Sequence, residues 1–150
     1  MSPANTFLII RLWSHQNLND ATHTNLNSFL GGVSMKNLKQ LMFMGTHGYV
    51  VSNDEQTLLS AENIQRLHDI PILFIHGEKN TVYAPESTMK CYDLLRRKFN
   101  GDASQYERVV FENRGHLDCW MGKDSYLDVY PQVEEHAKAT IIARGLMKGG

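Results

Sequence analysis

The amino-acid sequence predicts an α/β fold with a short parallel sheet. Two apolar runs, at residues 71–77 and 106–112, have the composition of buried strands, and Pro71 and Gly77 bound the first of them. Between the runs, residues 85–99 show the spacing of an amphipathic helix. Because two strands joined by a helix form a βαβ unit, we expect the strands to be parallel and the crossover to be right-handed.

Before the first strand, the pattern of residues 1–69 predicts a helical segment. A first helix is indicated by helical spacing that ends in two glycines: Leu18, Thr22, Leu26, Phe29, Gly31 and Gly32. Ser34 is placed to cap a second helix that ends near Gly45 or Gly48, and Ser60 is placed to cap a third through Leu67. The second helix would present one apolar face, formed by Met35, Leu38, Leu41 and Met42.

Two further helices are predicted in the second half of the chain. The one over residues 85–99 begins with Pro85 and Glu86, since proline fits the first helical position and an acid suits the positive end of the helix dipole. The other is predicted over residues 124–144, after the second strand. Four residues would form its buried stripe: Tyr130, Val133, Ala137 and Ile141.

The predicted strands are too few for a complete parallel sheet. Such sheets are stable when neighbouring strands and covering helices bury them on both faces. We therefore expect residues 70–150 to be the βαβ-α part of one incomplete domain, preceded by the helical segment of residues 1–69. The open sheet edge would be covered by a missing N-terminal half or by an oligomeric partner, and the lone chain would otherwise oligomerise or aggregate.

The composition is that of an ordinary globular chain, with 42% hydrophobic and 21% charged residues and a net charge of -1. This balance does not indicate nucleic acid or a membrane surface as the main partner. The apolar run at residues 7–10 is too short to span a bilayer, and no basic segment precedes it as a signal peptide requires. Two cysteines, Cys91 and Cys119, are too few for a disulfide framework. We expect a cytoplasmic chain with free thiols.

Polar side chains follow both predicted strands. Glu78 and Asn80 come after the first strand, and His116 comes after the second, next to Gly115, which allows a sharp turn. A histidine at the carboxyl end of a parallel strand is a candidate general base, and the alternative is a surface or packing histidine. Asn80 occupies the turn where a Ser-His-acid site places its acid. Asparagine can accept a hydrogen bond from the ring but brings no negative charge.

Other motifs give weaker signals. The seven histidines show no metal-ligand spacing, and the sequence contains no G-x-S-x-G. Residues 87–90 spell S-x-x-K, but they lie on an ordinary amphipathic helix without the partner motifs, so we interpret the match as coincidence. His76 is assigned to the end of the first strand. Cys119 could be a reactive thiol, although between Asp118 and Trp120 we expect it to pack.

Taken together, three motifs resemble the C-terminal half of an α/β-hydrolase domain. They are P-I-L-F-I-H-G-x-x-N at residues 71–80, P-E-S-T at residues 85–88 and G-H-L-D-C at residues 115–119. The sequence is most similar to the hydrolase-like domain fused to GMC-type, cholesterol oxidase-like flavin oxidoreductases, over about residues 14–137. This resemblance implies that residues 1–69 are a helical cap-like segment and residues 70–150 the C-terminal βαβ-α part of such a domain. Lysosomal acid lipase-like enzymes share the G-H-x-D step more distantly.

The resemblance implies roles for two of the candidate residues. His116 matches the catalytic histidine, and Asn80 stands at the position of the triad acid, where the cholesterol oxidase-associated branch also has asparagine. The nucleophilic serine and the oxyanion hole would lie upstream and are absent here. A flavin-binding domain would also be separate, so no cofactor is expected on this chain, and FAD is expected only with an upstream oxidoreductase domain.

Three functional hypotheses follow from these expectations. In the first, the chain contributes the histidine of an ester or lipid hydrolase site and is inactive alone, because the nucleophile and the oxyanion hole are missing. In the second, it is a non-catalytic lobe that binds a lipid-like molecule or a partner surface and supports a neighbouring oxidoreductase. In the third, it is a fragment without an independent function.

Overall fold

The computed structural model describes residues 12–29, 34–99 and 105–146 of the chain. Its regular elements, in chain order, are α1 (Asp20–Phe29), α2 (Met35–His47), α3 (Ala61–Gln65), β1 (Ile72–Gly77), α4 (Pro85–Lys98), β2 (Tyr106–Phe111), α5 (Asp118–Met121) and α6 (Ser125–Ala143). They belong to two compact units. The sheet unit comprises Met1–Thr24 with Pro71–Gly150, and the helical unit comprises Asn25–Ile70.

The two strands pair in parallel, which confirms the prediction of an α/β fold with a short parallel sheet. Ile72 lies opposite Tyr106, and the register continues to Gly77 opposite Phe111. Along β1 the first four residues are half-buried, whereas His76 and Gly77 at its carboxyl end are buried. The end of β1 that carries the candidate site is therefore its most enclosed part.

Helix α4 forms the crossover between the strands and packs on both of them. Pro85 starts the helix, as the sequence predicts, and three basic residues in its last turn complement the helix dipole. Leu95 and Phe99 are buried beneath it, and the ring of Phe99 stacks on that of Tyr106, with centroids 6.0 Å apart. This cluster fixes the start of β2 against the end of α4.

The final helix differs from its predicted packing. Val129 is fully buried, but Tyr130 and Ala137 of the predicted buried stripe are exposed, and Val133 and Ile141 are half-buried. The expectation of a buried stripe is therefore wrong for this chain. The physical reason is that Val133 and Ala137 line an open groove of about 460 Å³ beside β1, where the described residues provide no further strand.

In the helical unit, the two predicted serine caps are present. Ser34 Oγ accepts a hydrogen bond from the N–H of Asn37 at 3.1 Å, and Ser60 Oγ accepts one from the N–H of Asn63 at 3.1 Å. Helix α2 ends at Gly48, whose φ of 73° closes the last turn. The apolar face predicted for this helix is not buried: Met35, Leu38, Leu41 and Met42 are all exposed.

None of the helices in the described part of the chain combines the length and the apolar composition needed to span a bilayer.

Candidate active site

The turns after the two strands meet at one edge of the sheet because the strands are parallel. Two backbone hydrogen bonds join these turns: the N–H of Glu78 donates to Phe111 O at 2.9 Å, and the N–H of Lys79 donates to Arg114 O at 2.8 Å. The turn that carries Asn80 is thereby tied to the loop that carries His116.

Gly77 permits the close approach of these two turns. A Cβ atom at this position would lie 2.3 Å from the carbonyl oxygen of Gly115 and 2.4 Å from that of Arg114. Both atoms belong to the backbone, so neither can move aside by changing a rotamer. The loop before His116 can therefore lie against β1 only because β1 ends in glycine.

Replacing Gly77 with alanine is expected to lower the free energy of unfolding by roughly 1–3 kcal/mol, because the added methyl group forces the two turns apart. Urea unfolding followed by circular dichroism measures this change. Gly45→Ala is the matched control, because Gly45 lies in helix α2 and a Cβ atom there meets nothing within 4 Å. The free energy of unfolding of this variant should be unchanged or higher than that of the wild type. Equal stability of the two variants would contradict the packing described here.

Asn80 is held by its own turn. Its Oδ1 accepts hydrogen bonds from the backbone N–H groups of Val82 at 2.9 Å and Tyr83 at 3.1 Å. Its Nδ2 lies 3.2 Å from Nδ1 of His116. A flipped amide would place an NH₂ group against two N–H donors, so the two backbone bonds fix which end of the amide faces the histidine.

This orientation determines the tautomer of His116. Since the NH₂ group of Asn80 can only donate, Nδ1 of His116 must accept, and in the neutral ring the proton then lies on Nε2. The bond therefore runs opposite to the direction expected from the sequence, in which asparagine accepts from the ring. In this state His116 presents a hydrogen-bond donor to its surroundings and not the lone pair of a general base.

The surroundings of His116 favour the neutral ring. Partial burial lowers the pKa of His116 below its usual 6.5, and the neighbouring His76 lowers it further, while Asp118 acts in the opposite direction. Tyr83 lies against the same ring, with centroids 5.2 Å apart. At neutral pH the site therefore holds an uncharged imidazole beside an aromatic ring.

His76 is the second histidine of the site, and only 4% of its surface is exposed. Burial lowers the pKa of His76, and the positive charge of Arg108 adds to this effect, whereas a hydrogen bond to the Tyr83 backbone opposes it. Its Nε2 has no hydrogen-bond partner within the described residues. His76 thus belongs to the strand end, as the sequence indicates, and also contributes to the site.

Both histidines line a pocket of about 180 Å³ at the edge of the sheet. The other lining residues are Ile75, Gly77, Asn80, Tyr83, Ser87, Thr88, Cys119 and Trp120. Tyr83 and Trp120 are about half exposed and form aromatic walls. The pocket is smaller than the roughly 300–1,000 Å³ of a complete small-molecule site, so it fits one end of a ligand.

The remaining sequence candidates have other surroundings. Glu78 Oε2 accepts a hydrogen bond from the N–H of Asn113 at 3.1 Å and so braces the loop. Cys119 is buried, its thiol donates to Gly115 O at 3.6 Å, and burial raises its pKa to about 11, with Asp118 adding to the rise. The thiol is therefore protonated at neutral pH and packs as expected.

Ser87 lines the pocket, but within the described ranges no hydrogen bond joins it to His116.

Sequence reasoning missed the hydrogen bonds that hold the His116 loop against the N-terminal part of the described chain. Asp118 is fully buried, and its Oδ2 accepts a hydrogen bond from Asn17 Nδ2 at 2.5 Å, while the same amide donates to Asn113 O at 2.6 Å. The N–H of Leu117 donates to Leu12 O at 2.8 Å. Residues 1–17 show no hydrophobic period, so no local signal pointed to this contact.

No family model, curated protein or solved structure matches this chain. Within residues 12–29, 34–99 and 105–146, no group of three or more His, Cys, Asp or Glu side chains is arranged to hold a metal ion. The sequence contains no G-x-G-x-x-G motif.

Proposed function

We propose that this chain is the histidine-bearing part of an α/β-hydrolase-like domain that binds the oxygen-bearing end of an apolar molecule and does not hydrolyse esters by itself. The hydrogen bond from Asn80 to His116 carries the proposal, because it leaves the Nε2–H of His116 as a donor beside the pocket. The donor would bind a carbonyl or hydroxyl oxygen, and the aromatic walls would contact the apolar part of the ligand.

The position of the site supports the hydrolase-like part of the proposal. His116 and Asn80 follow adjacent parallel strands and lie at their carboxyl edge, where open α/β sheets bind their ligands. Asn80 and His116 both lie within the motifs that resemble an α/β-hydrolase domain, as do Glu78 and Lys79, whose N–H groups bond the end of β2 and the loop that follows it. On this interpretation, Asn80 occupies the position of the triad acid.

Two observations argue against hydrolysis by the isolated chain. A triad histidine takes the proton of the nucleophile on a free nitrogen, whereas Nε2 of His116 already carries a proton. The sequence also has no G-x-S-x-G to provide a nucleophile on a sharp strand-to-helix turn. Ester chemistry would need both a second protein segment and a rearranged Asn80.

The groove beside β1 supports the proposal that further strands complete this sheet. Pro71, Ile72, Leu73 and Ile75 of the β1 region form one side of it, and Val133 and Ala137 are among the α6 residues opposite. Apolar side chains of a parallel strand are normally covered on both faces. We propose that the rest of a hydrolase-like domain occupies this edge, and association of two copies of the chain would contradict that assignment.

The test uses the purified chain, cyclohexanone as an oxygen-bearing apolar probe and p-nitrophenyl butyrate as an ester. NMR spectra of the histidine rings should show saturable shifts of His116 and of His76, which lines the same pocket, with cyclohexanone, and in His116→Phe the His76 signal should no longer shift. The control is His136→Gln, since His136 bonds Glu107 at 3.0 Å outside the pocket, and this variant should bind normally.

With p-nitrophenyl butyrate, the wild-type chain should release p-nitrophenol no faster than His116→Phe. A burst of p-nitrophenol that depends on His116 would overturn the non-hydrolytic part of the proposal. Absence of any saturable shift with cyclohexanone would overturn the binding part.

A further inference from the structure

The ligand pocket and the groove beside β1 share part of their walls. Ile75 and Trp120 line both of them. Along the chain, the groove is lined from Pro71 to Ile75, and the lining of the pocket continues from Ile75 to Gly77. The two spaces are therefore neighbours, and a side chain that fills the groove lies next to a wall of the pocket.

Of the two shared residues, Trp120 is the one whose side chain can change position. Ile75 lies within β1 and is held opposite Val109 by the pairing of the strands. Trp120 lies in the short helix α5 and is 48% exposed. Its backbone is fixed, because its N–H donates to Leu117 O at 2.9 Å and its carbonyl oxygen accepts from the Tyr130 hydroxyl. The part of the shared wall that can turn is therefore the indole ring.

The freedom of the indole ring depends on the groove beside it. An open groove leaves the ring space to turn away from the pocket. A side chain in the groove takes up that space and holds the ring on the pocket side. Ordering a side chain during binding costs free energy, and a wall that is already in place avoids this cost. Filling the groove should therefore raise the affinity of the pocket for its ligand.

We propose that Trp120 is a positioning residue that couples the groove to the pocket, since a side chain that fills the groove holds the indole ring against the bound ligand. The coupling is reciprocal, so a ligand in the pocket also favours occupation of the groove. The inference rests on the proposed function and adds to it. The segment proposed to complete the sheet at β1 also prepares the pocket for an apolar molecule.

The test fills the groove from α6 and follows cyclohexanone binding through the ring signal of His116. Ala137 is exposed and lines the groove, so Ala137→Leu extends an apolar side chain into it. This variant should bind cyclohexanone roughly two- to tenfold more tightly than the wild type. The matched control is Ala139→Leu, the same change at an exposed position of α6 that lines neither space, and its affinity should equal that of the wild type.

Two further measurements show whether the indole ring carries the effect. In the Trp120→Leu background, Ala137→Leu should leave the cyclohexanone affinity unchanged, so the double-mutant cycle isolates the coupling. Acrylamide quenching of fluorescence reports on the ring of Trp120, because the second tryptophan of the chain, Trp13, is only 4% exposed. Without ligand, quenching should decrease in Ala137→Leu and remain as in the wild type in Ala139→Leu.

The outcomes separate this inference from the proposed function. Equal or weaker cyclohexanone binding by Ala137→Leu overturns the coupling and leaves the ligand pocket in place. Tighter binding that persists in the Trp120→Leu background, or unchanged acrylamide quenching, contradicts the role of Trp120. Failure of the wild-type chain to bind cyclohexanone overturns both proposals. If Ala137→Leu does not fold, Ala137→Met fills the same groove and should give the same results.

Discussion

Replacing Asn80 with aspartate is expected to raise the pKa of His116 and to move the proton of the neutral ring from Nε2 to Nδ1. One carboxylate oxygen would still accept from the N–H groups of Val82 and Tyr83. The other would place a negatively charged acceptor where the Nδ2 donor now faces His116. The charge and the hydrogen bond both stabilise the protonated ring, so both effects raise the pKa.

Long-range ¹H–¹⁵N spectra of the histidine rings, recorded as a function of pH, measure the tautomer and the pKa together. Asn113→Asp is the matched control because it adds the same charge on the loop after β2, at a residue whose backbone N–H bonds Glu78. It should leave the tautomer of His116 unchanged. An Asn80→Asp variant that keeps the proton on Nε2, or in which the pKa does not rise, would contradict the amide orientation described above.

Replacing Asp128 with alanine is expected to lower the free energy of unfolding by roughly 3 kcal/mol, because it leaves a buried guanidinium without its counterion. The side chain of Arg114 is 8% exposed, and its Nη2 lies 2.9 Å from both carboxylate oxygens of Asp128. After the substitution, the side-chain contact that remains for Arg114 among the described residues is the one from Nη1 to Ser125 Oγ, at 3.5 Å. Asp128 is itself 42% exposed, which limits the loss.

Urea unfolding measures the effect of Asp128→Ala, and Glu134→Gln provides the comparison. Glu134 and Lys138 form an ion pair at 2.6 Å, but both side chains are 64% exposed, so removing this charge should produce no measurable change. If the two variants lose a comparable free energy of unfolding, burial does not make the Arg114–Asp128 ion pair stronger than the exposed Glu134–Lys138 pair. Asp128→Asn, which keeps an acceptor for Arg114, should fall between wild type and Asp128→Ala.

The elements that sequence reasoning predicted correctly are those with local causes. The strands are short apolar runs, and Pro85 starts α4. Ser34 and Ser60 cap their helices with side-chain oxygens that accept hydrogen bonds from backbone N–H groups three residues later. The parallel pairing followed from the length of the connection between the strands. Each of these inferences required only neighbouring residues.

The parts that could not be predicted depend on contacts between distant residues. The direction of the bond between Asn80 and His116 is set by where two backbone N–H groups point after the chain has turned. Helix α5 begins at the buried Asp118, whose partner Asn17 lies in a segment without periodicity. The incomplete burial of the predicted stripe of α6 reflects the absence of a covering strand among the described residues, which no pattern within the helix can reveal.

The division of the chain also has a consequence for its biosynthesis. The helical unit Asn25–Ile70 is an insertion between two parts of the sheet unit, so it is complete when the ribosome has yet to make either strand. Asn17, which is synthesised before that insertion, must wait for Asp118, 101 residues later, before it can form its buried hydrogen bond. The order of synthesis therefore favours early folding of the helical unit, whereas the pocket forms only after Trp120, its last lining residue in chain order, has emerged.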